Sequence, residues 1–355
     1  ARSKTVVIAA NGMRLFFLPL AAITTVLLLA VITRPNHEES PKDGLGTPMV
    51  PTLKANAEAI DAITIRQGGG TTLIRRVASQ WQCASAADYP VDRERIRQLL
   101  VQLDQLERWE AKTQDPARHA AIDLDVSTEG ARAIEIELSA ESDLVAHVVL
   151  GKQQWSPKST FARLATEAQT YKCKGHVEVE VNPIGWLETN FCTLDRSGIA
   201  EMNFGPMRLV RANTSPESTN DSWDLAADTL DLVPDKAVQL ARAELPGWPT
   251  RLDFDDVIAR DQHQWSNDTV VLTYVAREGQ LTFSIDLGEE EGSGAWCGLD
   301  FVPSQGQNLQ PKWSRWPRWV YRLPAFRITP IRQIQSVLQS PTKNPIDGST
   351  SGPSP

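Results

Sequence analysis

The stretch "DYPVDRERIRQLLVQLDQLERWEAKT", residues 88–113, decides how the chain is read. Ile96, Leu99, Leu100, Leu103 and Leu106 recur at three- and four-residue steps, which is one apolar stripe of an α-helix. Asp92 stands where a short carboxylate can cap the unpaired amides of the first turn. Val91 and Ile96 have the spacing of a hydrophobic staple, which fixes the angle at which the chain joins the helix. Arg93, Glu94, Arg95, Arg97 and Gln98 fall off the stripe. Charges placed in this way form the solvated face of a packed helix, not a row of catalytic acids and bases.

Strand signals surround this helix. "AIDAITIRQ" and "TTLIRRV" flank Gly68, Gly69 and Gly70, which predicts a hairpin turn. No Lys-Ser/Thr follows the glycines and no helix opens there, so a phosphate cradle is disfavoured. "RAIEIELSA" and "LVAHVVLGK" alternate with period two and predict a second antiparallel pair, with "STFARLA" and "HVEVEVN" continuing in that style.

The layout returns further on. "MRLVRA", a polar loop, "DSWDLA", a capped helix over "LVPDKAVQLARAEL" and the exit "GWPTRLDFDDV" repeat the order around Trp81 and Asp92, with Trp223 and Asp235 in their places. A third, partial copy is expected at "RWVYRLPAF" and "TPIRQIQSVLQ", with Thr329 as cap, Pro330 at the first helical position and Ile331, Ile334 and Leu338 as stripe. The expected fold class is therefore α+β: repeated modules of small antiparallel sheets, each packed by a helix, preceded by one N-terminal transmembrane helix.

That last element comes from "LFFLPLAAITTVLLLAVI", residues 15–32, a run without a charge that is long enough to cross a bilayer. Arg2, Lys4 and Arg14 precede it, and the positive-inside bias puts residues 1–14 in the cytoplasm. No A-x-A cleavage site follows the apolar run, which favours an uncleaved anchor over a signal peptide. Residues 33–56, rich in Pro, Gly and charge, read as a tether. The first module is expected over 57–196, the second over 197–339, and a disordered tail over 340–355. The expected location is the bacterial inner membrane, single-pass, with the bulk in the periplasm.

The 355-residue chain carries 36 basic and 44 acidic side chains, a net charge of −8, and no basic block. A nucleic-acid partner is disfavoured, because that affinity comes mostly from neutralised phosphates. Cys83, Cys173, Cys192 and Cys297 would lie in an exported domain, where disulfides form. They are either buried small hydrophobes or paired, with Cys173–Cys192 preferred for its short loop.

These features together resemble a known family. Trp81, Tyr89, Pro90, Asp92, Leu99, Leu100, Leu103, Leu106, Lys112, Thr113 and Pro116 form its central motif. Leu150, Gly151 and Lys152, then Trp319, Tyr321, Leu323, Pro324 and Ala325, follow as later strand ends. The chain is similar to members of the bacterial DUF4340 family. The resemblance implies a single-anchor exported protein, in some cases encoded beside a gliding-motility-type ABC transporter, and it supplies no catalytic residues.

A search for chemistry returns little. The five histidines, His37, His119, His147, His176 and His263, show no metal-ligand spacing, and Cys173 with His176 makes at most half a zinc site. Asp253, Asp255 and Asp256, and Glu289, Glu290 and Glu291, lack the spacing of a calcium loop. No catalytic, cofactor-binding or metal residue is expected, and no cofactor. "WSRWPRWVYRLPAF" offers Trp313, Arg315, Trp316 and Arg318 as a candidate interface, with core or capping aromatics as the other reading. The function expected is a membrane-anchored periplasmic accessory or scaffold subunit, not an enzyme. Its partners would be other subunits of a larger inner-membrane complex, and the bilayer through residues 15–32. The alternatives are an exported hydrolase using carboxylates and a glycan-binding module using exposed tryptophans.

Overall fold

The computed structural model describes residues 44–127, 130–212, 222–229, 233–288, 292–305 and 316–340. The fold is α+β, with mostly antiparallel sheet and few helices. Among the described residues no helix is long and apolar enough to cross a membrane. The expected anchor at 15–32 and residues 341–355 of the tail expected over 340–355 lie outside the described residues.

The first sheet contains β1 (Ala62–Gln67), β2 (Gly70–Val77), β3 (Gln80–Cys83), β4 (Tyr89–Pro90), β5 (Glu107–Ala111), β6 (Ile134–Ala140), β7 (Asp143–Trp155), β8 (Lys158–Leu164) and β9 (Tyr171–Lys174). Their order across the sheet is 4-3-2-1-6-7-8-9-5. Gly68 and Gly69 close the β1–β2 hairpin with φ values of 55° and 89°, as a two-residue turn of left-handed residues requires. A short ladder then joins β10 (Asn190–Cys192) to β14 (Leu252–Asp253).

The second large sheet contains β11 (Ile199–Phe204), β12 (Met207–Arg211), β13 (Trp223–Leu225), β15 (Asp256–Ala259), β16 (Thr269–Ala276), β17 (Gly279–Asp286), β18 (Ala295–Pro303) and β19 (Trp319–Leu323). Its order is 13-12-11-16-17-18-19-15. Leaving out β4, this is the first order with ten added to each strand number.

That order forces two long crossings per sheet, because the chain must run from one edge to the other and then back to the middle. The first crossing is a helix: α1 (Arg93–Asp104) between β4 and β5, and α2 (Asp235–Glu244) between β13 and β15. Asp92 caps α1 by accepting the Glu94 amide at 2.9 Å, and Ile96, Leu99 and Leu103 enter the main core with Val148, Leu150 and Ala162. The return crossing takes the opposite face. Val149 and Phe161 point away from that core and join Leu124 and Ala133 of the β5–β6 connection in a separate cluster. We call these returning segments, residues 112–127 with 130–133 and residues 260–268, straps. A Cβ on Gly151 would lie 2.3 Å from the Ile122 carbonyl, so the first strap crosses β7 at a position only glycine can fill. The second crosses β18 at Gly298, where a Cβ would meet the Trp265 ring at 3.0 Å.

Aromatic side chains weld the two sheets at a seam. Tyr89 lies edge-on to Phe254 at 5.2 Å and to Trp319 at 4.8 Å, and Phe191 stacks on Tyr321 at 4.0 Å. Trp319 Nε1 donates to the Ala87 carbonyl at 2.8 Å, bridging the sheets directly. One continuous buried cluster runs through both.

Four local expectations are corrected. The tether does not extend to residue 56: Met49, Val50 and Leu53 are core residues. Thr47 and Met49 extend the first sheet beyond β5 through Arg108 N to Thr47 O (2.9 Å) and Met49 N to Leu106 O (2.6 Å). "HVEVEVN" is not a strand, because side chains take up its backbone groups instead of a neighbouring strand. Gln153 Nε2 donates to Val177 O at 2.7 Å, Gln102 Oε1 accepts Glu178 N at 2.8 Å, and Thr72 Oγ1 donates to Val181 O at 2.6 Å. There is no third copy: "RWVYRLPAF" supplies β19 of the second sheet, and the helix after it packs on α2. That helix, α3 (Ala325–Gln339), begins a turn before Thr329, so Pro330 sits inside it and Pro324 is the N-cap. Asp235 likewise opens α2 from within, after Pro234. Ile328, Ile331 and Ile334 form the buried stripe of α3.

Candidate functional site

The cluster closest to catalytic form lies where the second strap crosses its sheet. His263 Nε2 lies 3.1 Å from Asp286 Oδ2, and the Ser266 hydroxyl donates to Asp286 Oδ1. The Ser266 and Gly288 amides also donate to this carboxylate, each at 3.1 Å. Burial pushes the Asp286 carboxyl up, but the Ser266 hydroxyl, the two amides and His263 outweigh it and hold the group below its usual range. A serine nucleophile needs histidine between hydroxyl and carboxylate. Here the carboxylate lies between the serine and the histidine, so the serine hydroxyl faces only a weakly basic carboxylate and is not in contact with the imidazole. Arg260 completes the fastening by donating to Asp300 Oδ1 and Oδ2 at 2.7 and 2.8 Å. The cluster is a latch for the strap.

On the first sheet His147 lies 3.1 Å from Glu135 and 3.7 Å from Glu137, which is also held bidentately by Arg66. The direct contact of Arg66 outweighs burial and keeps the Glu137 carboxyl below its usual range. Among the described residues no group of three His, Cys, Asp or Glu side chains is placed to hold a metal ion.

The expected interface residues separate. Trp316 is 5% exposed and its indole donates to the Phe191 carbonyl at 2.9 Å, so it is a seam residue and not a docking surface. Arg318 is exposed beside the seam, near Asp88 and Gln82. Trp313 and Arg315 lie outside the described residues, as do Glu289, Glu290 and Glu291. The Cys173–Cys192 pairing is also corrected: no disulfide joins them, and both side chains are buried, as are those of Cys83 and Cys297. Cys173 lies in β9 with its sulfur 3.7 Å from Met49 Sδ, while Cys192 lies in β10 under the second sheet. Burial raises the Cys83 thiol to about 11 and the Cys173 thiol to about 12. His176 makes no zinc half-site; its ring lies 4.2 Å from that of Trp155.

That last contact marks the surface that sequence reasoning missed. Trp155 is 68% exposed, at the tip of the β7–β8 hairpin. Trp109, 41% exposed on β5, lies over the ammonium groups of Lys172 at 5.2 Å and Lys174 at 6.0 Å. A signal was available for Trp155: "QQWSPKS" sets an indole in a polar Ser-Pro turn, where no core is at hand. Trp109 was hidden inside a run read as a helix and its exit.

Residues 81–244 match the family model described as domain of unknown function (DUF4340). These residues carry a DUF4340 domain. The matched span starts at Trp81 in β3 and runs through α1 and β5 to β13 to the end of α2, leaving out β1, β2 and the strands after α2. No curated protein and no solved structure matches the chain. In this DUF4340 protein the motif glycine Gly151 has a physical role, as the crossing point of the first strap.

Proposed function

We propose that this DUF4340 protein is a single-pass, periplasm-facing accessory or scaffold subunit that docks on a larger inner-membrane complex, an ABC-type transporter being the class its family suggests. The observation that carries this reading is how the N-terminal side of the chain is built in. Thr47 and Met49 extend the first sheet, and Met49, Val50 and Leu53 are buried in its core. Eleven residues, 33–43, then separate the apolar run 15–32 from the folded body. A fully extended segment of that length spans no more than about 40 Å. A body held so near a bilayer suits contact with membrane-embedded subunits, and its two sheets supply wide faces for it. The Ser266–Asp286–His263 geometry gives a hydrolase reading no support, and the burial of Trp316 removes one of the two indoles of the glycan reading.

The test is isolation of the tagged full chain from its native membrane in mild detergent. A stoichiometric protein partner is the expected result. Recovery from the soluble fraction, or as a lone monomer from the membrane, overturns the reading.

A further inference from the structure

The β7–β8 hairpin stands apart from the rest of the first sheet. Residues 151–155 have no partner in β6, so the far end of β7 continues past its neighbour on that side. At its tip Trp155 is exposed against His176, and Lys158 is its strand partner. Contacts lead from there to the β5 edge. Ser159 bonds the turn through Pro157 O at 3.2 Å and is the strand partner of Lys174, and Lys174 with Lys172 lies under Trp109. Glu107, paired with Lys174, and Glu110, paired with Lys112, are the acids in these contacts. A lysine-rich end is unusual on a chain of net charge −8. The equivalent β17–β18 connection reads "LGEEEGSG", so the same position in the second sheet carries acids in its sequence.

The chain also joins the fold here, since Gly46 donates to the carbonyl of Arg108, the residue before Trp109. Indole rings partition to the boundary between headgroups and acyl chains, and lysines beside them reach the anionic headgroups. We infer that this end of the first sheet, with Trp155, Trp109, Lys158, Lys172 and Lys174, rests on the surface of an anionic phospholipid bilayer. The inference builds on the membrane-anchored reading above: the short segment before Gly44 confines this edge near the membrane, and the lysines and indoles orient it.

The experiment uses the full chain in lipid nanodiscs, with an environment-sensitive dye on Ser156→Cys and, separately, on Ser336→Cys of α3 as a remote control. The four native cysteines are buried and leave the added thiol as the reactive one. With phosphatidylglycerol present, the dye at 156 should shift to the blue and be quenched by brominated lipid, and the dye at 336 should not. In pure phosphatidylcholine, or in high salt, the shift should vanish. Charge reversal by Lys158→Glu, Lys172→Glu and Lys174→Glu should weaken the response by more than about fivefold per residue, the effect of losing one lysine charge. Equal responses at 156 and 336, or indifference to lipid charge and to reversal, overturn the inference. Failure of the chain to incorporate into nanodiscs speaks against the anchor alone. The labelled protein is then mixed with anionic vesicles at low salt, where a shift at 156 upholds the lipid surface and no shift overturns it.

Discussion

The two straps solve one topological problem with different chemistry. Each returns the chain across the outer face of its sheet. The first does so by apolar packing and backbone proximity: Leu124 covers Val149 and Phe161, and the carbonyls of Ile122 and Asp123 press on Gly151. The second uses a fastened set of polar and aromatic groups, with Arg260 on Asp300, His263 and Ser266 on Asp286, and Trp265 over Gly298. What is shared is the path, and the side chains that hold it differ. A backbone contact cannot yield where a ring or a charge pair can, so the two crossings should differ sharply in tolerance.

The largest effect is expected from Gly151→Ala, whose Cβ would fall 2.3 and 2.8 Å from two carbonyl oxygens. Urea denaturation should show a loss of about 3 kcal/mol, the upper end for overpacking. Asp286→Asn comes next, at about 2 kcal/mol, because it weakens several hydrogen bonds to a buried charge. The wild-type carboxyl is held below its ordinary value when folded, so its contribution is complete above about pH 4 and is lost as pH falls through the folded value. Melting curves from pH 7 to 3 should therefore show an acid-side loss that Asp286→Asn reduces. Gly298→Ala should cost less, about 1 kcal/mol, since its Cβ meets only the rim of the Trp265 ring at 3.0 Å. An equal cost at both glycines would break the comparison. Trp155→Ala should leave stability within about 0.5 kcal/mol, as the ring lies outside the core.

The elements most legible in sequence were those whose signal is local. The stripe from Ile96 to Leu103 and the Asp92 cap need only neighbours along the chain, and both stand in the structure as read. The Gly68–Gly69 turn is of the same kind. Misreadings arose where a distant partner decides. "HVEVEVN" alternates like a strand, yet its backbone groups bond to Gln102, Gln153 and Thr72, residues far away in the chain. Thr329 and Pro330 look like a helix start, but Ala325 to Ile328 extend the helix back to the end of β19. Trp316 resembles an exposed hot spot until Phe191, over a hundred residues earlier, accepts its indole proton. The Asp286 latch was invisible for the same reason, because Ser266, His263 and Asp286 converge only once the strap is laid down.

Cysteine chemistry gives a simple check on the corrected pairing. The four thiols should be unreactive toward a disulfide reagent in the native protein at pH 8, where the raised Cys83 and Cys173 values also suppress thiolate. All four should react in denaturant without prior reduction. Fewer than four would show that a disulfide exists.

The central claim is that two sheets of matching strand order are fused by an aromatic seam into one core. Hydrogen exchange along a urea series, read separately on peptides from β6–β8 and from β16–β18, tests it most directly. In the wild type both sets should lose protection at the same midpoint. In Trp319→Ala, which removes the Ala87 hydrogen bond and the Tyr89 contact, the two midpoints should separate. Two well-separated midpoints already present in the wild type would contradict the account.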